Sequence, residues 1–343
     1  MKPYERVSAA INLEEPDKVP VAPQITYTTA RVFGIKFSEA MRNANTLAKA
    51  LIAGYTAFGY DGVYVGWESS FNIIAETMGC KLKEYDDSLP SVSEPLIKDE
   101  SDLSRVKIPN PQTDGRLPIH IDALKMVNER IGREAAIFSY TPGPLTLAGI
   151  LRGTEKLLME LLTNKKFVHE IVKVAASACM QFALAKLDAG AEIIVVGDPT
   201  SSSSVISPRM FDEFSYPYLS VILSSIRKHG GTPSLHICGN TTPILKRMSE
   251  TGAEILELDS VVDLATAKRT IGRTICLQGN IDPARTLMMG APKDVLVEAR
   301  KCIEVASEGG GFILSSGCEI PLDAPHENVK SMVEAARRYG GYS

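Results

Sequence analysis

Eight short runs rich in Val, Ile, Leu and Tyr recur along this chain, and between them the apolar residues switch to helical spacing. The runs are Val19–Ile25, Gly62–Gly66, Ala135–Tyr140, Glu192–Gly197, Pro233–Cys238, Glu254–Asp259, Thr274–Asn280 and Phe312–Cys318. Most end in Gly, Pro, Asp or Asn, as strands that run into loops do. Lys166–Ala189 sets Phe167, Ile171, Val174, Ala178 and Phe182 at helical spacing and stops at Gly190. Pro208–His229, Thr242–Thr251, Pro292–Glu308 and Pro325–Tyr339 read the same way. Pro208, Pro292 and Pro325 suit the first helical turn, and Ser207 suits an N-cap. Strand-helix alternation over 343 residues predicts a single (β/α)8 TIM barrel with an N-terminal helical arm rather than two domains. Leu82–Arg116 is polar and Pro-containing, and we expect a loop insertion over the barrel mouth there, with a helix from about Ile121.

In such a barrel the C-terminal strand ends form the active face. Asp198, His236, Cys238, Asp259, Asn280 and Cys318 all fall at or just past those ends. His236 and Cys238 are two apart in one run, and strand side chains alternate between faces, so both point the same way. A His-Cys pair alone is usually a packed core pair. With Cys318 at the last strand end and Asp259 on the neighbouring strand, the metal reading becomes the stronger one. Three ligands are too few for a closed structural zinc site but are what a catalytic one needs, with the fourth position open. Mixed thiolate and imidazole donors favour zinc over iron or copper. Asp259 is then either a fourth ligand or the acceptor that orients His236.

Zinc held by two thiolates and an imidazole is a modest Lewis acid that suits a bound thiol, which it strips of its proton. Alkyl transfer to a thiol is the chemistry this donor set suggests. Hydrolysis is the rival and would require a base such as Asp198. Thr141-Pro-Gly-Pro144 reads as a rigid turn at the mouth and Ser201–Ser204 as a loop above the fourth strand. Glu68 and Glu76 follow the second run, and one of them is expected to face the site. His120, His169, His229 and His326 read as surface histidines, and Cys80, Cys179, Cys276 and Cys302 as small buried hydrophobes.

A net charge of −4 without any Lys/Arg stripe argues against nucleic-acid and anionic-membrane partners. The N-terminus lacks an apolar h-region, and no run approaches the roughly 20 uninterrupted apolar residues of a membrane span. Six cysteines without a repeated framework suit a reducing compartment, so a cytoplasmic protein is expected.

The segment His236-Ile-Cys-Gly-Asn240 with the distant Gly317-Cys318 resembles the HxC…C zinc motif of methylcobamide:coenzyme M methyltransferases, within the uroporphyrinogen decarboxylase superfamily. The likeness extends through Asp17-Lys-Val-Pro-Val, Tyr140-Thr-Pro-Gly-Pro-Leu-Thr146, Asp198-Pro, Ile206-Ser-Pro and Gln278-Gly-Asn-Ile-Asp-Pro283. It implies zinc on His236, Cys238 and Cys318, an acidic residue near the metal at Asp259, and cofactor contacts from Gln278 and Asn280. It also implies a corrinoid protein as partner, whose methyl-cobalt group is delivered to the barrel mouth and passed to a thiol such as coenzyme M. Transfer to tetrahydrofolate, or the reverse loading of Co(I) corrinoid from a methylated amine or methyl ether, are the alternatives. The decarboxylases resemble one another in an Arg-rich segment after the first strand. Here Pro23-Gln-Ile-Thr-Tyr-Thr-Thr-Ala-Arg31 carries one arginine, Gly66-Trp-Glu-Ser-Ser70 replaces an Asp-bearing segment, and Cys318 stands where they tend to carry His. Porphyrinogen decarboxylation is therefore not expected.

Overall fold

A computed structural model describes residues 1–66, 69–85 and 88–342. In chain order the strands are β1 (Gly62–Val65), β2 (Lys81–Lys83), β3 (Ser91–Glu94), β4 (Ala136–Pro142), β5 (Ile193–Gly197), β6 (Thr232–Ile237), β7 (Ile255–Leu258), β8 (Cys276–Ile281) and β9 (Phe312–Ser316). Seven of them form one parallel sheet in the order β1-β4-β5-β6-β7-β8-β9, each step crossing over through helix. Parallel neighbours joined by crossover helices curl the sheet into a barrel-like α/β fold.

The first expected run, Val19–Ile25, forms a single bridge rather than a strand, with Val21 against Leu314. Its backbone still spans the two sheet edges. Ala22 N–H donates to Leu314 O and Leu314 N–H to Pro20 O on the β9 side, and Asp61 N–H donates to Val21 O on the β1 side. Pro20 and Pro23 remove two donors from seven residues, so a continuous ladder is not available.

Side chains that alternate inward fill the barrel. Tyr64, Ala136, Phe138, Tyr140, Ile193, Val195, Ile255, Cys276 and Ile313 pack together with Val7 and Ala10. These last two come from the helix Pro3–Ile11, whose Tyr4 N–H donates to Glu134 O. That helix lies against the N-terminal strand ends and closes the floor. Arg6 anchors it, bonded to Asp61 just before β1 and to Asp17 at 2.6 Å. The outward strand faces meet the helices in a second, larger core.

Helix boundaries follow the caps. Ser207 Oγ accepts from Met210 N–H at 3.3 Å, as an N-cap should. The helix expected from Pro208 does not run uninterrupted: a wide turn over Phe211–Ser215 separates Pro208–Met210 from Tyr216–Lys228. Pro217 has no N–H to give the preceding turn, so the ladder resets there. Lys165–Asp188 is long and apolar enough to span a membrane by length and composition, with half of its most apolar window buried. Its apolar face, including Phe167, Ile171 and Phe182, belongs to the core. The stretch read as a loop near Leu82–Arg116 contains the β2–β3 hairpin and a 3-10 turn over Glu100–Arg105. Ile97 N–H ties it to Leu151 O at the end of the helix Pro144–Arg152.

Candidate metal centre

Strand alternation puts Ser234, His236 and, just past the strand, Cys238 on the inner side of β6. His236 Nε2 lies 3.0 Å from Cys238 Sγ, and Cys238 Sγ lies 3.6 Å from Cys318 Sγ. The three donor atoms all lie within 4.8 Å of one another. His236 is fully buried, and both cysteines are partly accessible. A disulfide needs about 2.05 Å between sulfurs, so the pair is two free thiols. Tetrahedral zinc with Zn–S near 2.3 Å sets its sulfurs about 3.8 Å apart, which this pair matches.

Two glycines let the set assemble. Gly239, at φ +81, turns the chain immediately after Cys238, and a Cβ there would meet Ser202 Oγ and Ser204 Oγ at 2.9 Å. Gly317 donates to Ile281 O at 2.7 Å, and a Cβ there would stand 2.4 Å from Ser260 N. With no side chain at 317, the chain after β9 passes against the Asp259–Ser260 backbone and brings Cys318 to Cys238.

The three donors are electrostatically coupled. The Cys318 thiol is pushed well above its ordinary value by its hydrogen bond with Cys238 and by burial. Two adjacent thiolates repel, and a metal ion between them removes that cost. Burial works against protonation of His236, but Cys318, Glu257 and Asp259 outweigh it and raise its pKa.

Asp259 sits beside the set on the loop after β7. Its Oδ2 accepts from Gly239 N–H at 2.7 Å and its Oδ1 from Val261 N–H at 3.1 Å. Across the sheet, His236 is paired in register with Glu257 of β7, and His236 Nδ1 lies 3.9 Å from Glu257 Oε2. Glu257 was not singled out from the sequence. A carboxylate between Leu256 and Leu258 inside a strand buried on both faces was the available signal, because a buried charge demands partners. It has them: Tyr64 Oη donates to Oε1 at 2.8 Å, Ser234 Oγ to Oε1 at 3.2 Å and Gln24 Nε2 to Oε2 at 2.9 Å. Burial pushes the Glu257 carboxyl up to about 7 against the lowering effect of His236 and these donors.

Among the described residues, the others expected at the site are each held by partners of their own. Asp198 is fully buried, with Oδ1 accepting from Thr146 N–H and Oδ2 from Ser201 Oγ, both at 2.7 Å. Burial raises its carboxyl above the ordinary value. Gln278 Nε2 donates to Tyr64 Oη and to Ala22 O inside the barrel. Asn280 Nδ2 donates to Asp259 O at 3.1 Å and Val262 O at 2.8 Å, and so braces the loop that carries Asp259. It also lines a cleft of about 590 Å³ between that loop and the helix Pro292–Ala306. Glu76 pairs with Arg116 at 2.8 Å, while Glu68 and part of the Gly66–Ser70 segment lie outside the described residues.

One histidine departs from the surface reading. His120 is fully buried, with its ring stacked toward Phe182, and burial lowers its pKa well below the usual value. The helix Leu117–Ile131 turns it inward beside Gly66, where a Cβ would meet His120 Nδ1 at 2.5 Å. Cys80, Cys179, Cys276 and Cys302 are buried as expected.

The uroporphyrinogen decarboxylase (URO-D) family profile matches residues 2–339. The methylcobamide:CoM methyltransferase MtbA of Methanosarcina acetivorans is 30% identical over 341 residues, which is 98% of each chain. The methylcobamide:CoM methyltransferase MtaA of Methanosarcina barkeri is 30% identical over 340 residues, 97% of each. A solved methyltransferase from Methanosarcina mazei superposes with a TM-score of 0.90 at 28% identity, covering 99% of both chains. The chain therefore belongs to the uroporphyrinogen decarboxylase family and falls in its methylcobamide:CoM methyltransferase-like branch.

Proposed function

We propose that this protein is a zinc-dependent methyltransferase that moves a methyl group from a methylated corrinoid protein to a thiol such as coenzyme M. The observation that carries the reading is the convergence of His236 Nε2, Cys238 Sγ and Cys318 Sγ within 4.8 Å at the C-terminal strand ends. Three donors of this kind fill three of zinc's four positions and leave one for substrate. Zinc held by His236, Cys238 and Cys318 would supply Lewis acidity that lowers the pKa of a substrate thiol.

The chain's own residues supply the rest. His236 and the side chains behind it, Ser234, Glu257 and Gln278, are all fully buried, which leaves approach from the mouth. Gly239 and Val261 N–H groups hold the Asp259 carboxylate at the edge of the donor set. Glu257 already occupies the Nδ1 side of His236, so the role proposed for Asp259 is the exchangeable fourth ligand. Relatives named as methylcobamide:CoM methyltransferases over the full chain length support the donor and acceptor classes. The decarboxylase reading loses further ground because Arg31, alone in its segment, is exposed and pairs with Asp323 at 2.9 Å.

The test is spectral. Purified protein with methylcobalamin and coenzyme M should generate cob(I)alamin, and Cys318→Ala should lose both its zinc and this activity. Full zinc occupancy in Cys318→Ala would refute the ligand set. Turnover only with a methylated amine or ether and Co(I) corrinoid would reverse the direction of methyl flow, and turnover only with tetrahydrofolate would change the acceptor.

A further inference from the structure

We infer that Glu257 is a positioning residue for the metal centre: it sets the orientation and tautomer of His236 from inside the barrel. The inference rests on the zinc reading above and concerns a residue that takes no part in ligation.

The register carries the first step. His236 and Glu257 are directly paired across β6 and β7, and in a parallel pair residues at matching positions point to the same side. Their proximity is therefore a property of the sheet rather than of a loop. The ring orientation carries the second. Nε2 faces Cys238 Sγ at 3.0 Å, so Nδ1 must face the opposite way, and the carboxylate oxygen on that side is Glu257 Oε2 at 3.9 Å. For Nε2 to bind a metal its lone pair must be free, so the proton belongs on Nδ1, directed at that carboxylate. At 3.9 Å the contact is that of an ion pair rather than a direct hydrogen bond. Carboxylate-histidine-metal arrangements place their carboxylate on this side of the ring, fixing the tautomer and raising the basicity of the ligand.

The third step is how firmly Glu257 is held. Tyr64, Ser234 and Gln24 come from three separate segments and together donate three hydrogen bonds to its two oxygens. Tyr64 is itself stacked on Phe138, with ring centroids 4.6 Å apart. Oε1 already accepts two of these bonds and Oε2 one, so Oε2, the oxygen nearer His236, keeps room for a further donor. A fully buried carboxylate costs stability even when hydrogen-bonded, and its placement beside a candidate ligand histidine gives that cost a use.

Zinc affinity separates this role from a purely structural one. Glu257→Gln should bind zinc about 10- to 100-fold more weakly in competition with a chromophoric chelator. The urea midpoint of its zinc-free form should stay at or above that of the wild type, since a buried charge has been removed. Tyr64→Phe removes one support without touching His236 and should weaken zinc binding several-fold. Cobalt(II) substituted into each variant should show a changed d–d spectrum relative to wild type. Equal zinc affinity and equal cobalt spectra in both variants, with wild type binding zinc, would overturn the role of Glu257 alone. A wild-type protein that binds neither metal would overturn the zinc reading and this inference with it.

Discussion

Asp198 offers a direct test of whether a polar residue at a strand end is chemistry or architecture. Its carboxylate has no solvent exposure and receives Thr146 N–H and Ser201 Oγ at 2.7 Å each. Thr146 lies in the first turn of the helix Pro144–Arg152, so Asp198 satisfies one of the donors that a helix start leaves open. In Asp198→Ala, Ser201 Oγ can turn wholly to Ser215 Oγ, 2.7 Å away, whereas the Thr146 N–H is stranded. An unsatisfied buried donor costs about 1–3 kcal/mol, and the emptied carboxylate volume adds to this, for a total of about 2–4 kcal/mol. Asp198→Asn keeps an acceptor oxygen and removes a group whose ionised form burial already disfavours. It should stay within about 1 kcal/mol of wild type. The sign with pH follows. A carboxyl raised by folding stabilises the native state most below its unfolded value and loses that contribution as pH rises through the folded value, so the comparison shifts toward Asn as pH rises. Urea unfolding at several pH values measures all of this. An Asn variant as damaged as the Ala variant, or an Ala variant as stable as wild type, would refute the reasoning. Methyl transfer should survive in Asp198→Asn; a loss of 100-fold or more in kcat at unchanged stability would return Asp198 to the role of a general base.

Two further outcomes concern the barrel floor. Arg6→Leu leaves Asp61 buried with its main cationic partner gone and should cost about 3–5 kcal/mol, and Arg6→Leu/Asp61→Leu should recover much of that loss in a double-mutant cycle read by urea unfolding. The Asp17 carboxyl is held well below its usual range, chiefly by the hydrogen bond from Arg6. Its contribution is therefore complete above the unfolded value of about 3.9 and fades as pH falls through the lower folded value. The stability gap between wild type and Asp17→Asn should be constant from pH 7 to 5 and shrink toward pH 2.

Much of this architecture is legible in the amino-acid sequence. Gly62–Gly66 became β1 at Gly62–Val65, Pro233–Cys238 became β6 at Thr232–Ile237, and Phe312–Cys318 became β9 at Phe312–Ser316. Such runs are readable because parallel strands buried on both faces need nearly continuous apolar sequence. Val19–Ile25 has the same composition, but its prolines limit it to one bridge, a matter of donor count rather than hydrophobicity. The His236–Cys238 spacing was legible for an equally local reason, the two-residue period of a strand.

Partnership across the sheet was not legible. That Glu257 stands opposite His236 depends on the register of β6 against β7, which is set by how two crossover segments pack and leaves no local mark. The fate of Asp198, the bracing of the Asp259 loop by Asn280 and the burial of His120 depend in the same way on contacts distant in sequence. Residue type and period state what a side chain can do and which face of its own element it takes. Only tertiary packing decides which other side chains share that face, because long-range neighbours are fixed by the closure of the whole sheet rather than by any one strand.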